Sequence, residues 1–191
     1  MGAAVGFRVK SGWAAAVLIA GGPDSPQVRD CRAIQLSDPA IPESRQPYHA
    51  AMGMLEKNAA KIERRKQIIK QAAAKSVSEL LGGYAKEGYR VSAAALVVGS
   101  RIDPEAIKND HIRAHALEGR LFRVTLEEAL RLSGLETQTI VEREVYPRAV
   151  SVLARDAGEL KKNITAMGRS LTGSWRADEK MAALAAWTLL R

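Results

Sequence analysis

The sequence predicts an α/β protein with a mixed five-stranded sheet and helices on both faces. Three observations predict it. Two apolar, strand-like segments meet at the tight turn Lys10-Ser11-Gly12. The continuous apolar run Val91 to Val98 reads as a strand covered on both faces. Helical periodicity fills the stretches after these strands. A meander followed by strand–helix–strand units gives a sheet with both antiparallel and parallel pairs.

Residues 5–20 hold the first two strands. Arg8 and Lys10 ahead of the apolar stretch Trp13 to Ala20 also have the outline of a short signal peptide. The strand reading is preferred, because Val17-Leu18-Ile19 is β-prone and Gly21-Gly22-Pro23-Asp24 is turn chemistry. Val28 to Leu36 alternates and is a third strand, and residues 37–47 form a Pro-rich loop. A long helix is expected from about Tyr48 to Ala85. Asp103-Pro104-Glu105 opens a helix, with Asp as N-cap and Pro in the first turn. A helical stretch follows over about Asn109 to Phe122, and Thr125 with Glu128 forms a capping box for another, ending near Ser133-Gly134. Thr137 to Tyr146 alternates as a strand stopped by Pro147. The tail is helical over about Arg148–Ala154, Ala157–Leu171 and Asp178–Leu190. The chain reads as one domain over residues 1–191, with a helical arm at about 48–85.

The 29 Lys+Arg and 21 Asp+Glu give a net charge of +8, which suits an anionic partner. With 47% hydrophobic residues, wholesale disorder is excluded. No apolar run reaches the roughly 18 residues of a membrane span, so a cytoplasmic protein without a membrane partner is expected. Cys31 is the one cysteine, which excludes an intrachain disulfide or a Cys-rich zinc site. It has no base partner in sequence and reads as inert.

His111 and His115 lie one helical turn apart, at metal-ligand spacing. Ile112-Arg113-Ala114 stands between them instead of the zinc-protease Glu. The pair reads as exposed polar residues, and no metal site is expected from the three histidines. Aromatic residues are too few, at 5%, for a platform that stacks single-stranded bases.

The element order β-β-β-α-β-α-β-α resembles the ribonuclease H-like fold, and within it the RuvC-type Holliday-junction resolvases. The resemblance covers most of the chain. It is strongest from Gly6-Phe7 through Gly12-Trp13, from Leu80 to Ser100, and in the tail. There Tyr146-Pro147, Ile164-Thr165-Ala166-Met167-Gly168 and Ala177-Asp178-Glu179 through Ala186 carry it. The resemblance implies a nuclease that holds two divalent metals on clustered carboxylates, the metals stabilising the attacking and leaving oxygens. This sequence departs from that pattern. Phe7-Arg8-Val9-Lys10 has no acid in the first strand, and Val98-Gly99-Ser100 stands where the family has a Glu. Asp178 and Glu179 remain in the last helix, but Met181 follows where another acid is expected.

The site therefore reads as eroded, with no cofactor expected. The leading function is non-catalytic binding of structured or duplex nucleic acid. Arg8 and Lys10 would contact phosphate, together with the basic stripe Lys57, Lys61, Arg64, Arg65 and Lys75. A solvated helix face and solvated strand ends are the competing readings of these cations. One alternative is a Mg²⁺-dependent nuclease with relocated acids, using Asp178, Glu179 and Asp103. The other is a structural subunit of a larger assembly. In that case Leu55, Ile62 and Ile69 on the arm would pack on a second copy, giving a homodimer.

Overall fold

The computed structural model describes residues 2–50 and 53–190. The strands are β1 (Gly2–Lys10), β2 (Trp13–Ala20), β3 (Gln27–Gln35), β4 (Arg90–Val98) and β5 (Glu136–Val141). The helices are α1 (Ala59–Lys86), α2 (Asp110–Leu132), α3 (Val145–Leu153), α4 (Ala157–Met167) and α5 (Ala177–Trp187). The strands form one sheet in the order β3-β2-β1-β4-β5. The β1–β2 and β2–β3 pairs are antiparallel, and the β1–β4 and β4–β5 pairs are parallel. The expected mixed five-stranded sheet is present, with β1 at its centre.

Strand periodicity divides the core in two. On one face, Val5, Phe7 and Val9 of β1 and Leu96 of β4 pack against Ile69, Ala73 and Val77 of α1 and Phe122, Leu126 and Leu130 of α2. On the other, Ala4, Val17, Ile19, Ala95 and Val97 meet Val145 of α3, Leu160 of α4 and the alanine-rich α5. The alternation sends Phe7 to the first face, so Arg8 falls on the α5 face. Trp187 is buried there and its Nε1 donates to the carbonyl of Pro23 at 2.8 Å.

Four boundaries differ from expectation. Helix α1 starts at Ala59, not near Tyr48, because Asn58 caps it by accepting the Lys61 amide at 3.0 Å. The described residues between 48 and 56 instead close on themselves: Ala50 donates to the Met54 carbonyl at 2.8 Å and Glu56 to that of Tyr48 at 2.9 Å. Helix α2 is continuous, and Thr125 lies buried inside it rather than capping a new helix. Strand β5 stops at Val141, and Pro147 falls in the first turn of α3, where its missing N–H breaks no helical bond. Asp103-Pro104-Glu105 opens only a short 3-10 turn, Pro104–Ala106.

Helix α1 buries Ile69 in the molecule's own core, so that residue is not available to a second copy. Leu55 and Ile62 are half-buried. Among the described residues, no helix is long and apolar enough to cross a membrane.

Candidate functional site

The chain reverses direction of build-out at β1: β2 and β3 extend the sheet one way, β4 and β5 the other. The carboxyl ends of β1, β4 and β5 meet at this switch, the place where open α/β sheets hold their ligands. Helix α5 brings its N-terminus to the same spot.

Arg8 and Lys10 project from the end of β1. Arg8 is 6% exposed, and its guanidinium reaches the carbonyls of Val9 (3.3 Å) and Val97 (3.4 Å). It forms a short ion pair with Glu142, just past β5. Its Nε lies 3.5 Å from Asp178 Oδ1 in the first turn of α5. Lys10 Nζ sits 2.9 Å from the same Asp178 oxygen. Two cations and two carboxylates thus neutralise one another where the strands end.

Beside this cluster lies a hollow lined by Arg8, Lys10, Ser11, Gly99, Ser100 and Gly119. It shares Ser100 and Gly119 with a neighbouring hollow that also holds Asp103, Arg120 and Arg123. The two hollows adjoin at Ser100 and Gly119, the first holding Lys10 and the second Arg120 and Arg123.

A pair of Mg²⁺ ions, which the resemblance implies, does not fit these residues. Mg²⁺ needs free oxygen ligands. The Asp178 oxygen is engaged by Lys10 and Arg8, Glu142 is engaged by Arg8, and β4 ends at Val98 with Gly99-Ser100 after it, offering no carboxylate. The acids named from sequence do not converge either. Asp178 is in the cluster, but Glu179 accepts the Arg176 amide at 2.8 Å and caps α5. Asp103 accepts the Glu105 amide at 3.2 Å and caps its own turn.

The cations named from sequence divide into two sets. Lys57, Lys61, Arg64 and Lys75 are exposed; Lys75 has only a long 3.9 Å contact with Glu79. Arg65 turns inward and donates to the carbonyl of Pro47 at 3.0 Å, binding the 48–56 loop to α1. Arg8 is likewise internal, so Lys10 is the β1 cation that solvent reaches.

Sequence reasoning missed Glu142, which it placed mid-strand. The usable signal was its position directly after Ile140-Val141, the apolar end of β5, at the sheet's carboxyl edge. It also missed His49, which the structure sets against His111 and His115. His111 and His115 are exposed, as expected, and the structure adds that they stand with a third ring from a distant loop. Among the described residues, that is the group of three or more His, Cys, Asp or Glu side chains placed to hold a metal.

Cys31 is half-buried on the α5 face of β3, with Sγ 3.6 Å from the Ser174 carbonyl. Burial, then the charges of Glu179 and Asp30, push its thiol up to about 11. That fits the inert role expected for it.

No protein-family model matches the sequence, and no curated protein does. Solved structures do match in three dimensions. Thermus thermophilus RuvC is similar over 97% of this chain and 92% of its own, at 10% identity and a TM-score of 0.55. T. thermophilus RuvC in complex with a Holliday junction substrate is similar over 98% and 92%, at 10% identity and a TM-score of 0.56. The yeast mitochondrial Holliday junction resolvase, Ydc2, aligns over 97% and 76%, at 11% identity and a TM-score of 0.44. Architecture and coverage together show that this chain has the ribonuclease H-like fold in its RuvC-like form.

Proposed function

We propose that the chain is a non-catalytic nucleic-acid-binding protein, a RuvC-like fold that recognises structured or duplex nucleic acid by charge. The observation that carries this is the Arg8–Glu142–Asp178–Lys10 cluster, in which two cations stand among the carboxylates at the strand ends, where the resemblance implies metal-binding acids. Arg8 acts as an internal counter-ion that ties the ends of β1 and β5 to α5. Lys10, with Arg120 and Arg123 in the adjoining hollow, supplies positive charge to a phosphate backbone. Lys57, Lys61 and Arg64, exposed around the start of α1, extend that charge without base readout. A RuvC of the same fold binds a Holliday junction, so a branched duplex is the first substrate to test. A cytoplasmic setting suits this role.

The test is fluorescence anisotropy with a labelled four-way junction and a plain duplex, from about 50 to 300 mM salt, with Mg²⁺ or with chelator. The expected result is binding that falls steeply with salt, survives chelator and leaves both DNAs uncut. Cleavage in Mg²⁺ that is abolished by Asp178→Asn would overturn the reading in favour of a nuclease with relocated acids. Absence of binding at the lowest salt would overturn it in favour of an assembly subunit.

A further inference from the structure

The geometry points to a transition-metal site on a different part of the molecule, made by His49, His111 and His115 and oriented by Glu118. This site is independent of the nucleic-acid reading.

The three rings come from two places. His111 and His115 lie one turn apart near the start of α2, and His49 is carried by the 48–56 loop. The loop is held by Arg65, whose guanidinium donates to the carbonyls of Pro47 and His49. Ring centroids are 4.5–5.2 Å apart, with interplanar angles of 55–81°. Two pairs are T-shaped and the third is tilted, so no two rings stack face to face.

The distances favour ligands over hydrogen bonds. His115 Nε2 is 3.3 Å from His111 Nε2, and one nitrogen from each of the three rings lies within 4.8 Å of the others. The first distance is longer than the usual upper limit for an N–H hydrogen bond, about 3.2 Å. Two nitrogens bound to one tetrahedral zinc at about 2.05 Å stand about 3.3–3.4 Å apart.

Each ring's other nitrogen faces an oxygen. His49 Nδ1 is 2.7 Å from Glu118 Oε1, His115 Nδ1 is 3.5 Å from Glu118 Oε2, and His111 Nδ1 is 3.3 Å from the Gly53 carbonyl. With a proton on each Nδ1, all three Nε2 atoms present lone pairs. A carboxylate or carbonyl behind a ligating imidazole is the usual support of a histidine metal site. Gly53 adopts φ +74°, a conformation that favours glycine, and so can aim its carbonyl at His111.

Glu118 adds a second, independent observation. It is fully buried, and its Oε2 has no hydrogen-bond partner. Its Oε1 accepts from His49 and from the Tyr48 amide at 3.3 Å. A wholly buried carboxylate with one oxygen left without a hydrogen bond costs stability unless positive charge lies close by. A metal on the far side of two imidazoles supplies that charge.

Imidazole-only coordination selects zinc and its borderline neighbours, cobalt, nickel and copper, over magnesium or calcium. His111 and His115 are exposed, so a fourth position opens to solvent. The metal would clip the 48–56 loop to α2, joining residues 62 apart in sequence, immediately before the exposed cations Lys57, Lys61 and Arg64.

The test uses untagged full-length protein, stripped with chelator and titrated with ZnCl₂ by calorimetry, alongside Co²⁺ absorption. Expected are one zinc per chain at micromolar affinity or tighter, visible bands of tetrahedral Co²⁺, and a higher melting temperature with zinc. His111→Ala and His115→Ala, at exposed positions, should each abolish all three effects while the apo melting temperature holds. Glu118→Gln should weaken zinc binding by about 10–100-fold. Millimolar affinity, less than one zinc per chain, or binding unchanged in His111→Ala and His115→Ala would each overturn the site.

Discussion

Cys31 shows how placement alone silences a reactive side chain. Half-burial and two nearby carboxylates hold its thiol at about 11, so at pH 8 about one molecule in a thousand carries a thiolate. Alkylation by iodoacetamide should keep rising tenfold per pH unit to about pH 11; a plateau near pH 9 would contradict this environment. The linked effect on stability has a definite sign. The unfolded thiol ionises first, near its ordinary value of 9.0, so Cys31 lowers native stability as pH climbs from there toward 11. Tyr84 is a similar case. Burial and Asp30, whose Oδ2 accepts its hydroxyl at 2.8 Å, push the phenol far above its usual range. At this scale the sequence revealed residue types and little more. Nothing in Phe7-Arg8-Val9-Lys10 announces that Arg8 is spent on Glu142 while Lys10 stays half-open to water.

At the scale of elements, two glycines make opposite predictions. Gly82 lies inside α1, and a Cβ there would meet nothing within 4 Å. Gly82→Ala should therefore raise stability by about 0.5–1 kcal/mol, read as a higher denaturation midpoint, because it removes backbone freedom from the unfolded chain. Gly6 lies where β1 is crossed by α5, and a Cβ there would collide with the backbone carbonyl of Ala182. The alanines Ala182, Ala183, Ala185 and Ala186 let that helix approach so closely. Gly6→Ala should cost about 3 kcal/mol or more, since backbone must move to admit one methyl. Near-wild-type stability of Gly6→Ala in urea denaturation would mean that α5 sits farther from the sheet.

Elements were legible where one strong signal acted alone. The apolar runs gave β1, β2 and β4 to within a few residues. Boundaries were lost where signals competed. Thr125 and Glu128 match a capping box, but Thr125 is buried inside α2, which runs straight through it. Pro147 looks like a strand stop and is a first-turn helix proline.

For the whole molecule, the net charge of +8 matters through its distribution. Lys57, Lys61 and Arg64 lie close in sequence and are exposed. Replacing all three by Ala should leave the fold intact, because none is buried. It should also flatten the slope of log affinity against log salt by about 3 units, near 0.9 per lost phosphate contact. An unchanged slope in the same anisotropy series would place the interface elsewhere. Arg65→Ala is the contrasting variant. It frees the 48–56 loop by removing the bonds to Pro47 and His49, so its main effect should be lower stability.

By itself, the sequence determined the α/β class, the five strands, the helical tail and the lack of acids in β1, because these depend on residue type and local period. Only the tertiary structure decided which charges meet. Arg8 and Asp178 are distant in sequence, as are His49 and His111, and chain folding places each pair within 3.5 Å. Local period says which face a side chain takes; the packing of the sheet against α2 and α5 decides what stands opposite.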